Sequence, residues 1–134
     1  MIENIIINNI TYAIILRVSY NSDGIKFFTP DNFSQQLGYM NRPAGYKIDP
    51  HYHVKHKRLI SFTQEVLFVK SGKVKVNFFN ENKEYIADIV LYPGDVILLA
   101  DGAHGFEMIE QSEMIEVKQG PYIKDQDKVI FKND

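Results

Sequence analysis

The chain is predicted to fold as one all-β domain, an antiparallel sandwich or barrel. Short stretches rich in Ile, Val, Phe and Tyr recur along its 134 residues, each bounded by Gly, Pro, Asn or Asp. Residues 73–79 alternate apolar and polar side chains, the pattern of a strand with one buried face. Many short strands at regular spacing favour a sandwich or barrel over a helical fold.

The N-terminal segment, residues 1–44, is expected to supply strands that pack or pair against the main body of the domain. Its strands are predicted at 4–7, 11–18 and 25–28, with one short helical turn at 30–36. The isoleucine-rich runs of the first two strands are more apolar than an exposed edge strand should be. Burial across a two-fold axis would cover them, so a homodimer is predicted, although an intramolecular sheet edge would serve equally well.

The main body of the domain is expected at about residues 45–118. Strands are predicted at 45–49, 58–62, 65–70, 73–79, 84–91, 96–99, 104–109 and 113–118, with a further one at 128–131. Ser71-Gly72 is interpreted as the tight turn of a hairpin. In the turn Pro93-Gly94-Asp95, proline presets φ and glycine permits a positive φ.

The strand at 113–118 has two possible orientations. If Ile115 and Val117 face the core, Glu116 and Lys118 form an exposed ion pair of little energetic value. In the opposite orientation the two charged side chains enter the interior and become acid–base candidates. The usual burial of apolar side chains favours the first orientation.

Composition excludes several classes of protein. A formal net charge of -2 gives no reason to expect a nucleic acid or an anionic membrane as partner. The absence of cysteine excludes disulfides, a thiolate nucleophile and zinc–thiolate sites. The N-terminus lacks the pattern of a signal peptide, and no apolar run has the length of a membrane span. A cytoplasmic protein is expected.

The histidines predict a metal site. Three of the four histidines, His51, His53 and His56, lie within six positions, and His104 follows the Pro-Gly-Asp turn. Imidazoles and a carboxylate such as Glu65 are ligands for a divalent transition metal. His51 and His53 would share one face of an extended strand, because its side chains alternate with a period of two.

Two motifs resemble those of the cupins. The string HYHVKHKRLISFTQEVLFVKSGKVKV is similar to their first motif: an H-x-H pair, then a glutamate, then a glycine. The string LYPGDVILLADGAHGFE is similar to their second motif, a Pro-Gly-Asp turn followed by an apolar strand and a histidine. The resemblance covers about residues 45–118 and implies a single-domain jelly-roll β-barrel with one divalent metal ion inside. The metal would be Fe, Mn, Ni, Co or Zn, and its ligands His51, His53, Glu65 and His104.

The spacing departs from the cupin pattern at one point. Eleven residues separate His53 from Glu65, whereas cupins usually have a much shorter spacer. An extended loop there would still let both reach the metal. Alternatively, His56 replaces His51 or His53, or Glu65 lies outside the ligand set.

Three functions are compatible with this pattern. The first is a metal-dependent enzyme acting on a small polar molecule such as a sugar or keto acid, as an isomerase, an epimerase or a dioxygenase. The second is a non-catalytic cupin that binds a small ligand as a sensor. The third is a metal-free scaffold. Fold alone does not choose among them, and no catalytic residue is assigned.

Overall fold

The structure is a computed structural model that describes residues 1–132, and it is built from strands. Within these residues there are ten: β1 (Ile2–Ile7), β2 (Ile10–Leu16), β3 (Gly24–Phe27), β4 (Gly38–Asn41), β5 (Glu65–Ser71), β6 (Val74–Phe79), β7 (Tyr85–Leu91), β8 (Val96–Leu99), β9 (Ala103–Met108) and β10 (Glu113–Lys118). All paired strands are antiparallel. The predicted all-β antiparallel class is confirmed. Nowhere in the described range is there a helix long and apolar enough to cross a membrane.

The strands of residues 1–132 form three sheets. The largest has the order β1-β2-β8-β5-β10, the second β7-β6-β9, and the third is the pair β3-β4. In this part of the chain none of the sheets closes on itself, so the predicted closed barrel is not confirmed.

The main core lies between the five-stranded and three-stranded sheets. Val74, Val76 and Phe78 point inward from β6, as their alternation with polar residues predicts. They pack against inward side chains of β2, β5 and β8, among them Ile15 and Val69. Glu65 shares its face of β5 with Leu67 and Val69, so this core is also where its carboxylate points.

A smaller apolar cluster covers part of the other face of the five-stranded sheet. Ile14 and Leu98 lie on that face and contact Leu37, Phe28 and Phe33 from the chain around β3 and β4. Residues 30–36 form turns there, and the short helical turn predicted for them is wrong. Strand β4 had no prediction, because Gly38–Asn41 is too short to show a pattern.

The Ser71-Gly72 turn connects two different sheets. β5 belongs to the five-stranded sheet and β6 to the three-stranded sheet, so the predicted hairpin is wrong although the turn exists. Gly72 has a φ of 89°, and a side chain there would collide with Ser112 and Gln111. Ser112 also accepts a hydrogen bond from the Lys73 amide at 3.0 Å. Local sequence identifies the turn, but these distant contacts decide the sheet that each strand joins.

Residues 42–63, here called the connecting segment, link β4 to β5 without any strand or helix. All of these residues are exposed to solvent. The strands predicted at 45–49 and 58–62 are therefore wrong, as is the one predicted at 128–131. The two wrong strands in the connecting segment carry the correct kind of pattern, but residues 1–132 offer them no neighbouring strand to pair with.

Candidate functional site

The site is built around Glu65 and His104, which come from different sheets. Glu65 is the first residue of β5, and His104 lies in β9 opposite the buried Phe78 of β6. Both side chains therefore point into the space between the sheets. His104 Nε2 lies 2.5 Å from Glu65 Oε1, and the two side chains are 25% and 13% exposed.

Strand β10 adds Glu116 and Lys118 to this site. The antiparallel register places Lys118 opposite Glu65 and Glu116 opposite Leu67, so both charged side chains lie on the face that carries Glu65. Ile115 and Val117 point away and are 54% and 57% exposed. The orientation that the sequence favoured is wrong, because β10 is an edge strand whose charged side chains find partners on the inner face.

The carboxyl groups of Glu65 and Glu116 are linked by a hydrogen bond that changes both pKa values in opposite directions. Burial alone raises the pKa of Glu65, but hydrogen bonds with His104 and Glu116 outweigh it and lower that pKa to about 2. The hydrogen bond to Glu65, together with burial, raises the pKa of Glu116 to about 7. Between about pH 2 and pH 7 the two carboxyl groups therefore hold one proton, and it resides on Glu116.

Lys118 is the fourth ionisable side chain of the site, beside Glu65, His104 and Glu116. Its Nζ donates a hydrogen bond to Asp127 Oδ2 at 2.9 Å, which raises the pKa of the ammonium group. Asp127 lies in the C-terminal coil beyond β10. No pattern in the sequence indicated Asp127, because a single acidic residue in a polar stretch has no distinguishing spacing.

The other predicted ligands lie in the connecting segment. The rings of His51 and His53 are 5.5 Å apart, and His51 Nδ1 lies 2.9 Å from the backbone oxygen of Asp49. His56 makes a similar local contact, at 3.1 Å, to the backbone oxygen of Val54. Among the described residues, no three His, Asp or Glu side chains form a group that could hold a metal ion. The structure thus brings together Glu65 and His104 and leaves His51 and His53 apart from them.

Gln64 fixes the start of β5 from the opposite face. It is fully buried, its side-chain oxygen accepts a hydrogen bond from the Gln35 amide at 3.0 Å, and its backbone oxygen accepts one from the Gln119 amide at 3.0 Å. Because neighbouring side chains of a strand alternate, this anchoring directs Glu65 inward. Nearby, residues 58–62 and 31–36 border a cleft of about 700 Å³.

Three comparisons with known proteins give no match: no family model matches the chain, and neither does any curated protein or solved structure. Arguments about function therefore depend on the two sequence motifs and on the geometry described above.

Proposed function

We propose that the chain is a divalent-metal-binding cupin, and an enzyme that acts on a small polar metabolite such as a sugar or a keto acid. The observation that carries this proposal is the pair of Glu65 and His104. These are the glutamate and the last histidine of the two cupin-like motifs, and their reactive atoms lie 2.5 Å apart between the sheets. Carboxylates and imidazoles are both common ligands of divalent transition metals.

The order of the strands supports a jelly-roll architecture. From β5 to β10 the chain passes back and forth between two sheets, with β5, β8 and β10 in one and β6, β7 and β9 in the other. Two facing antiparallel sheets connected in this way are typical of jelly rolls. A complete jelly roll would need further strands beside β9 and β10, and the connecting segment is the part of the chain that could supply one of them.

The side chains proposed as ligands are of the chemical types, carboxylate and imidazole, that bind a divalent transition metal. Glu65 and His104 would hold it from the two sheets, while His51 and His53 would add two imidazoles from the connecting segment. His56 remains the alternative to one of these two histidines. When bound, a divalent ion supplies Lewis-acid polarisation of a substrate carbonyl or activation of O₂.

The chain's own acid–base groups favour an isomerase or epimerase over a dioxygenase. Such reactions move a proton on the substrate, so a proton donor or acceptor must lie beside the bound molecule. Glu116 is hydrogen-bonded to Glu65 and lies on an edge strand, where a ligand in the site could reach it. Lys118 lies next to it on the same face and would attract an anionic substrate.

The test is elemental analysis of untagged protein purified without chelators, as wild type and as the variants His53→Ala and His104→Ala. We expect about one metal ion per chain in the wild type and loss of the metal in both variants, since each removes a proposed ligand. Glu65→Gln should weaken retention less than either, because an amide oxygen can still coordinate.

His56→Ala is the matched variant for the four-ligand assignment and should keep its metal, whereas loss of metal in this variant would identify His56 as the ligand that replaces His51 or His53. Equal metal content in the wild type, His53→Ala and His104→Ala would contradict the ligand assignment. A wild-type protein that takes up no metal even under anaerobic reconstitution would instead support the scaffold alternative. Bound iron would favour oxygen chemistry, and manganese, nickel or zinc would favour an isomerase.

A further inference from the structure

We infer that the connecting segment is a closing strand controlled by the metal: it pairs with the free edge of β9 when the ion is bound and is released when the ion leaves. This inference rests on the proposed function, because it needs His51 and His53 to be ligands. It adds a conformational step that the ligand assignment alone does not require.

The first argument is the pattern of the segment. Across residues 46–55, large apolar side chains occupy four of the even positions and polar or charged ones all of the odd positions. The apolar group comprises Tyr46, Ile48, Tyr52 and Val54, and the polar group includes both proposed ligands. This period of two is typical of a strand with two different faces. The structure nevertheless leaves these residues exposed and outside any sheet.

The second argument is the free edge beside the site. Within the described residues, β9 is hydrogen-bonded to β6 on one side and has no strand on the other. An open edge presents unpaired backbone N–H and C=O groups that can accept another strand. Neighbouring strands lie roughly 4.8 Å apart, so a strand on this edge would place its inward side chains next to His104.

The other nearby edge, that of β10, fits less well. A strand added there would be separated from Glu65 by the whole of β10, or two strand spacings. Its inward side chains would meet Glu116 and Lys118 before they reached Glu65 or His104. Of the two edges, only that of β9 therefore lets two histidines of one added strand approach both Glu65 and His104.

The third argument concerns reach and free energy. The eleven residues between His53 and Glu65 span up to roughly 3.3 Å each when extended, which is enough for a return loop. Ordering the segment costs conformational entropy, and its inward side chains would be polar, so burial of apolar side chains would not offset that cost. Metal–ligand bonds to His51 and His53 would offset that cost, as in other sites where metal binding is coupled to folding.

The primary test is hydrogen–deuterium exchange of the full chain, followed by mass spectrometry, without metal and with saturating Co(II). Absorption of the bound Co(II) reports metal binding independently. We expect exchange of residues 46–57 to slow by at least about tenfold with Co(II) in the wild type and in Lys57→Ala, which removes an exposed side chain of the same segment. In His53→Ala the same residues should exchange at the metal-free rate.

Two proline variants test the pairing without removing a ligand. N–H groups of consecutive residues in a strand point to opposite edges, so Val54→Pro and Lys55→Pro remove donors on opposite sides. We expect one of the two to weaken Co(II) binding by roughly tenfold and to abolish the slowed exchange, and the other to behave like the wild type. Val54→Thr and Lys55→Thr are the matched controls and should behave like the wild type.

The outcomes separate the two proposals. If Co(II) binds and the exchange of residues 46–57 is unchanged, the closing strand is overturned while the metal site stands. The closing strand is also overturned if both proline variants, or neither, lose the slowed exchange. If Co(II) does not bind to the wild type at all, the proposed function itself has failed.

Discussion

A carboxylate between two sheets needs hydrogen-bond donors, and Glu65 has two of them. His104 approaches from the facing sheet, and the carboxyl group of Glu116 approaches from the neighbouring strand. The inward direction of Glu65 was predictable, because in a strand it shares its face with the apolar Leu67 and Val69. The direction of Glu116 was not, since both faces of β10 carry plausible core or surface residues and only the contacts with Glu65 decide between them.

The shared proton predicts how pH affects the stability of the metal-free protein. The pKa of Glu116 is raised to about 7 in the folded state, whereas an unfolded glutamate titrates near 4.5. Between these values the folded state binds more protons than the unfolded state, so the Glu116 contribution to the free energy of unfolding decreases as pH rises. Glu65 acts in the opposite sense, and its contribution is lost as pH falls from about 4.5 towards 2.

Glu116→Gln isolates this effect, because an amide donates to the Glu65 carboxylate as the protonated acid does, but at every pH. We expect urea denaturation of the variant without metal to show a smaller loss of stability between pH 5 and pH 8 than the wild type shows. Glu110→Gln, at an exposed glutamate in the turn between β9 and β10, is the control and should follow the wild type. Identical pH profiles for the wild type and Glu116→Gln would refute the shared proton.

At the scale of elements, the Pro93-Gly94-Asp95 turn before β8 shows how a short motif can hold strands from distant parts of the sequence together. Gly94 has a φ of 89°, as the motif predicts, and Asp95 is almost completely buried. The carboxylate of Asp95 accepts hydrogen bonds from the amides of Val18 and Tyr92 and from the Arg17 guanidinium, each at 2.8 Å. Arg17 also pairs with Glu3, so one turn connects β1, β2 and β8.

Asp95→Ala should therefore destabilise the fold strongly. The substitution leaves the Arg17 charge without its buried partner and two backbone N–H groups without acceptors. We expect the free energy of unfolding to fall by about 3 kcal/mol, measured by urea denaturation at pH 7. Asp101→Ala, at an exposed aspartate of another turn, should change it by less than about 0.5 kcal/mol. A loss in Asp95→Ala no larger than in this control would contradict the bridging role.

The elements predicted correctly are those whose apolar side chains are buried against neighbouring strands, as the local sequence pattern requires. Strands β6 and β8 have the predicted positions, because an alternating or continuous apolar run was buried where the pattern required. Residues 45–49 and 58–62 have comparable patterns but no partner strand among the described residues, and sequence alone cannot show that a partner is missing. For the site, the motifs identified Glu65 and His104, while Asp127 joins through a tertiary contact that leaves no local signal.

For the whole molecule, the structure changes the argument for a homodimer. The apolar run of β2 that suggested a dimer is buried within the chain, with Ala13 and Ile15 fully covered, so it needs no second copy. On β1, Ile6 remains exposed, but a single exposed isoleucine is ordinary. A larger apolar group lies at the other end of the sheet, where Phe68 pairs with Ile115 and Val117 lies beside them on the outer face.

The homodimer remains a prediction, and the outer face of β10 is now the better surface for it. Adjacent apolar side chains on a free edge strand favour packing against the same strand of a second copy across a two-fold axis. We expect sedimentation velocity to show a dimer for the wild type and a monomer for Ile115→Lys. Ile6→Lys, which places the same charge at a similarly exposed isoleucine of the opposite edge strand, should stay dimeric. Dissociation by Ile6→Lys alone would return the interface to β1, and a monomeric wild type would show that the homodimer prediction is wrong.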